Sequence, residues 1–228
     1  MSKVRGLYVT GTDTDVGKTR VAAAIARAWH DGGTVPTVVK LVQTGIARSD
    51  EGDAALAARW AGGVPWRELG RFRAAADPWS AAQAESNRPL RVAQLLDGVR
   101  ACAEPLIVEG SGGAAVPLNE AETLTDVAIA AGLAAVVAVG LRLGCLNHAL
   151  LTISYLRERK VRVAGLVGVE RWHPVDAAYK NDVVRVLEPH APWLGIVAFD
   201  HDPQRGAIAA APLFASLVEE ERPSITRS

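Results

Sequence analysis

Near the N-terminus a short apolar, β-branched and aromatic run, residues 6–10, gives way to Gly11-Thr12-Asp13-Thr14-Asp15-Val16-Gly17-Lys18-Thr19 and then to a helical pattern. This feature constrains the chain more than any other. A glycine turn between a buried strand and a helix is where backbone amides converge on phosphate oxygens. The helix N-terminus adds partial positive charge, Lys18 reaches the outer phosphates of a nucleotide, and the Thr19 hydroxyl supplies an oxygen for Mg2+. Gly11 and Gly17 are separated by five residues, one more than in the simplest form of the loop, and Thr12 takes the usual first glycine position. The competing reading makes the glycines strain relief and Lys18 a surface charge; the strand before and the helix after argue against it.

The rest of the chain alternates. Helical spacing of Val21, Ala22, Ile25, Ala28 and Trp29 stops at Asp31-Gly32-Gly33. Strand-like runs follow at residues 37–42, 105–108, 134–139, 163–167 and 194–198, and helical stretches between Gly52 and Gly62 and at residues 90–100, 123–131, 146–157, 176–187 and 208–217. Residues 63–89, interrupted by Pro65, Gly70 and Pro78, show no clear period and read as an irregular insertion. Strands apolar along their whole length, separated by helices, imply a parallel sheet covered on both faces. The expected fold is therefore α/β, a P-loop NTPase-like sheet with ligands bound along the carboxyl ends of its strands. No linker or repeat splits it, so residues 1–228 are expected to form one domain.

Three further places carry chemistry. Lys40, near the end of the second strand and ahead of Thr44-Gly45, is placed to neutralise a transferring phosphoryl group, or else is a solvated strand-end lysine. Asp53 at a helix start and Glu109 at a strand end could complete a Mg2+ site with the loop hydroxyl; Asp50 and Glu51 compete with Asp53, which could equally be a helix-dipole partner. Glu109 runs directly into Gly110-Ser111-Gly112-Gly113, read as a glycine-rich turn that brings backbone up to a ligand. The turn Gly144-Cys145-Leu146-Asn147-His148 opens another helix and offers a second anion site. His148 reads as packing or capping rather than as a base, and no base is identifiable beside Cys145.

Charge narrows the partners. The 25 basic and 25 acidic side chains balance, which removes the electrostatic case for a nucleic-acid or anionic-membrane binder and favours small molecules. The two cysteines, Cys102 and Cys145, form neither a disulfide framework nor a zinc pattern. The longest apolar stretch, residues 127–141, is too short to span a membrane, and the first ten residues lack a cleavable leader, so a cytoplasmic location is expected.

Taken in order, the loop from Gly11 to Thr19, Lys40 with Thr44-Gly45, Asp53, Glu109 to Gly113 and Gly144 to His148 resemble the dethiobiotin synthetase family over about two-thirds of the chain. The resemblance implies a homodimer that converts 7,8-diaminononanoate, CO2 and MgATP into dethiobiotin, ADP and phosphate through a carbamate and a carbamic-phosphoric anhydride. It implies that Lys18 and Lys40 stabilise the phosphates and the anhydride, that Thr12 to Thr19 with Asp53 and Glu109 hold the nucleotide, and that Thr19, Asp53 and Glu109 hold Mg2+. Thr44 and Gly110 to Gly113 would line the substrate site. Gly144, Cys145, Leu146 and Asn147, reaching across the dimer, would receive the distal carboxylate.

The chain departs from that family in places. Leu41 replaces a proline after the lysine, Arg142 stands where lysine is common, Trp79 follows Pro78 where histidine is frequent, and Ala198 replaces the proline of a late Gly-x-Ile-Pro pattern. Val169 and Glu170 occupy the region where an asparagine contacts adenine in relatives, so a relaxed preference among nucleoside triphosphates is expected. Two other readings share the fold. One is a carboxylate-activating synthetase, which usually carries a glutaminase domain for which 228 residues leave no room. The other is a partner-regulated switch ATPase of the partitioning type, which would want a second lysine in the loop or a cysteine pair; Thr12 and Asp13 stand in the loop instead.

Overall fold

The computed structural model describes residues 4–221. Its strands are β1 (Gly6–Gly11), β2 (Thr37–Lys40), β3 (Trp66–Glu68), β4 (Leu106–Gly113), β5 (Ala134–Gly140), β6 (Val163–Val169) and β7 (Trp193–Val197). All pair in parallel in the order β3-β2-β4-β1-β5-β6-β7. β1 is central. The chain leaves it toward β2 and β3, returns to insert β4 at its side, and continues across it to β5, β6 and β7. That reversal opens a crevice at the carboxyl ends of β1, β2 and β4, where open parallel sheets take their ligands.

The helices are α1 (Lys18–Asp31), α2 (Asp53–Trp60), α3 (Pro78–Ala84), α4 (Val92–Arg100), α5 (Leu124–Ala131), α6 (Cys145–Glu158), α7 (Ala177–Leu187), α8 (Pro203–Ala210) and α9 (Ala215–Glu220), with a 3-10 turn (Ala211–Phe214) before the last. They form two layers. Leu7, Val9, Val136 and Ala138 pack with α1, α2, α8 and α9 on one face. Tyr8, Val137 and Val139 pack with α3 to α7 on the other. Alternate residues of one strand serve opposite cores, which explains why these strands are apolar throughout. Among the described residues no helix is long and apolar enough to cross a membrane.

The structure corrects four expectations. The segment 63–89 holds a short edge strand, β3, and the helix α3, whose start is capped by Asp77 accepting from Ser80 N, with Pro78 in its first turn. β2 ends at Lys40 rather than at residue 42. Gly110 to Gly113 are not a turn: they are the last four residues of β4, with an irregular register against β1 near Gly11. The final helix begins at residue 203, on the cap of Asp202, and the 3-10 turn around Pro212 separates it from α9.

Candidate active site

The glycine loop joins β1 to α1. Asp15 and Gly17 both lie in the left-handed region, with φ 55° and 96°. A Cβ at position 17 would sit 2.6 Å from Val169 Cγ1, so the close approach of the loop to β6 requires glycine there. Val16 packs into the core at 1% exposure, and Thr12 N donates to Ala138 O at 3.0 Å; these two residues shape the loop from behind. Asp13 and Asp15 turn outward to Arg142 and Arg171. Thr14, Asp15, Gly17, Lys18 and Thr19 line a cavity of about 430 Å3.

Opposite the loop, β2 and β4 deliver Lys40 and Glu109 in register with one another. Lys40 Nζ is 2.8 Å from Glu109 Oε1, 2.6 Å from Asp53 Oδ2 and 3.0 Å from Gly110 O. Thr19 Oγ1 donates to the same Glu109 oxygen at 3.1 Å. Lys40 and Glu109 are buried, at 2% and 0% exposure, so the solvated strand-end reading of Lys40 is wrong. Asp53 is seated by Gln43, whose Oε1 accepts from Asp53 N at 2.9 Å and so caps α2 from ten residues upstream. Asp50 and Glu51 face elsewhere, toward Ala47 N and Arg59.

The electrostatics follow from this packing. Burial, and next the nearby Lys40, lower the Lys18 pKa to about 8, while its Nζ donates to Asp13 O at 2.9 Å. Burial also works against a charged Lys40, but Glu109 and Asp53 outweigh it and hold that ammonium above the ordinary lysine range. Burial pushes the Glu109 carboxyl up, against the pull of Lys40.

Mg2+ fits these residues. Glu109 Oε2 is buried and has no hydrogen-bond partner, so one oxygen of the most deeply placed carboxylate awaits a cation. Asp53 Oδ2 and Thr19 Oγ1 supply hard oxygens nearby. Among the described residues no group of three His, Cys, Asp or Glu could hold a metal by itself.

A second cavity of about 370 Å3 adjoins the first, sharing Thr14, Thr44, Ser111 and Gly112. The Ser111 hydroxyl donates to Val42 O, tying β4 to the segment after β2. Gly144, Cys145, Leu146 and Asn147 line neither cavity within the chain. Cys145 is buried with Sγ 3.4 Å from Tyr179 Oη, whereas Asn147 is exposed and Leu143, just before the turn, is 91% exposed. Of the departures, Leu41 and Val169 are fully buried core residues. Glu170 is occupied: Oε1 accepts from Val175 N and Lys180 Nζ, and Oε2 from Phe199 N.

Sequence reasoning missed Gln43, Arg20 and Arg171, all of which line the first cavity. A polar side chain directly after the buried pair Leu41-Val42 was the available signal for Gln43. Arg20 and Arg171 meet only through the fold, and nothing local marks them.

Comparison with known proteins identifies the fold and the family. Residues 5–202 match the model of a family described as AAA domain. The chain is 35% identical over 224 residues, 95% of its length and 100% of the relative's, to "ATP-dependent dethiobiotin synthetase BioD" of Anaeromyxobacter dehalogenans (strain 2CP-C). It is 42% identical to the protein of the same name from Saccharopolyspora erythraea, covering 84% of this chain and 86% of that one. Among solved structures it resembles the MinC:MinD cell division protein complex of Aquifex aeolicus, with TM-score 0.58, 13% identity and 99% of both chains covered. A ParA family ATPase from Chlorobium tepidum TLS superposes with TM-score 0.52 at 11% identity, covering 96% of this chain and 95% of that one. Those two likenesses establish the P-loop fold; the much higher identities over nearly whole chains place this protein in the ATP-dependent dethiobiotin synthetase family.

Proposed function

We propose that the chain, acting as one catalytic unit, carboxylates 7,8-diaminononanoate with CO2 and closes the product to dethiobiotin, converting ATP into ADP and phosphate. The observation that carries this reading is the meeting of Lys18, Thr19, Lys40, Asp53 and Glu109 at the wall of one cavity behind the glycine loop. Phosphoryl transfer needs charge neutralisation and alignment more than a nucleophilic side chain, and two lysines together with a Mg2+ held by the two carboxylates would provide the first.

In the proposed sequence one neutral amine adds to CO2 and loses a proton, giving a carbamate. A carbamate oxygen attacks the γ-phosphorus and expels ADP. The second amine then attacks the carbonyl, closes the cyclic urea and expels phosphate, which keeps the carbamate oxygen. Lys18 sits on the loop side and meets the outer phosphates as an ammonium, since a triphosphate raises its proton affinity. Lys40, fixed by Glu109, Asp53 and Gly110 O, presents a charge that stays in place while negative charge moves onto the transferring group. Glu109 Oε2, Asp53 and Thr19 would hold Mg2+, which when bound neutralises the β and γ oxygens. Thr44, Ser111 and Gly112 line both cavities and would lie between phosphate and carbamate if the nucleotide filled the first cavity and the diamine the second. A homodimer would let Gly144 to Asn147 of one copy serve the other.

Phosphate release from ATP, measured with and without 7,8-diaminononanoate and bicarbonate and with Lys18→Ala as a blank, tests the reading. Release that needs both substrates supports it. Release that depends on a protein partner instead supports the switch ATPase.

A further inference from the structure

Resting on that functional reading, we propose that Glu170 is a positioning residue for the nucleotide: by tying two loops together it holds the wall of the first cavity against which the sugar and base lie. The sheet order sets the direction of the nucleotide. Lys40 and Glu109 stand at the ends of β2 and β4, on one side of β1, whereas β6 and β7 lie on the other. A triphosphate whose outer phosphate meets Lys40 and the Mg2+ ligands therefore points its nucleoside toward the ends of β6 and β7. The cavity is lined there by Arg171, directly after Glu170, and by Pro203, the first residue of α8. Arg20, in the first turn of α1, completes the wall, and its guanidinium donates twice to Asp200 O at 3.2 Å.

One carboxylate fixes both loops. Glu170 follows β6 directly and is 4% exposed, and its N donates to O of Val197, the last residue of β7, at 3.0 Å. Oε1 accepts from Val175 N at 3.0 Å, which closes the loop 171–175, and from Lys180 Nζ of α7 at 2.8 Å. Oε2 accepts from Phe199 N at 3.0 Å, which holds the chain between β7 and Pro203. Burial raises the proton affinity of the carboxyl, but Lys180 and the two amides outweigh it, so the group is an anion at neutral pH. Three donors from three segments converge on its two oxygens, and a side chain with one acceptor cannot satisfy them all. Arg171 does not fix its own loop: its partner Asp15 is exposed, and ion pairs of that kind contribute little. Glu170 is absent from the cavity lining, so it acts on the nucleotide through Arg171, Pro203 and Arg20.

The test compares Glu170→Gln with wild type in calorimetric titration with MgATP and with magnesium tripolyphosphate, and in steady-state kinetics. Glutamine keeps one acceptor and turns an NH2 group toward a second donor, so one loop is released. The expected result is a Kd and a KM for ATP raised about tenfold, with kcat at saturating ATP, the KM for the diamine and the Kd for tripolyphosphate within about twofold of wild type, because the phosphate loop holds the inorganic chain without the wall. A merely structural loss lowers the folded fraction and leaves the ratio of the two affinities unchanged. ATP and tripolyphosphate weakening in parallel, or an ATP affinity within about twofold of wild type, overturns the assignment. Wild-type enzyme that binds ATP but shows no diamine-dependent phosphate release overturns the functional reading, while the ratio of affinities still decides the role of Glu170. Should Glu170→Gln fail to fold, Lys180→Met, which removes one of the three donors, must shift the same ratio about threefold or more, and an unchanged ratio overturns the assignment.

Discussion

Lys18 is 6% exposed, and its pKa is lowered from 10.5 to about 8, so the folded protein holds a buried ammonium against its own preference at neutral pH. The drop corresponds to about 3 kcal/mol of lost stability below pH 8. Lys18→Met keeps the length of the side chain and removes the charge. It also removes the hydrogen bond to Asp13 O, worth about 1 kcal/mol. The expected net effect at pH 7 is a variant about 2 kcal/mol more stable than wild type that no longer binds ATP. The pH dependence has a definite sign. Between about 8 and 10.5 the unfolded lysine is protonated and the folded one is not, so wild-type stability rises with pH in that window and the advantage of the variant shrinks. Urea unfolding at pH 7 and 9.5 measures it: the gap should fall by about 2 kcal/mol. A variant less stable at pH 7, or a gap that ignores pH, refutes the reasoning.

Gln43→Met leaves Asp53 N without its acceptor, so the Mg2+ concentration for half-maximal turnover should rise about tenfold, and Gln43→Glu, which keeps the acceptor, should restore it. Gly110→Ala would bring a Cβ to 2.7 Å from the Tyr8 hydroxyl inside the core; chemical unfolding should show a loss of about 1–3 kcal/mol, and kcat should fall because Gly110 O helps to anchor Lys40. With three donors, Val175 N, Lys180 Nζ and Phe199 N, already on the Glu170 carboxylate and no asparagine beside it, parallel turnover assays should find CTP and GTP used within about tenfold of ATP; strong rejection of both counts against a relaxed preference.

The loop, α1 and the central strands were legible because their signals are local: a β-branched run, a glycine turn and helical spacing fall within about 25 residues. Lys40, Asp53 and Glu109 were legible as residues at element ends, but their ion pairs depend on β2 and β4 lying side by side, which spacing does not encode. β3 escaped notice because three residues with Trp66 half exposed carry no period; the strand exists by pairing with β2. Gly110 to Gly113 misled for the opposite reason. Glycine usually marks a turn, yet here the missing side chains let β4 run past Tyr8 and the loop. At α3 and α8 the signals were present, Asp77-Pro78 and Asp202-Pro203, each an acidic cap followed by proline, and were passed over because the helices they open are short.

The most direct test of the two-lysine site is to follow oxygen. CO2 labelled with oxygen-18, supplied with the diamine and ATP and quenched within a few turnovers, should yield inorganic phosphate carrying one labelled oxygen, because the carbamate oxygen that attacks the γ-phosphorus leaves with it. Unlabelled phosphate released at the rate of dethiobiotin formation would contradict phosphoryl transfer to a carbamate at Lys18 and Lys40.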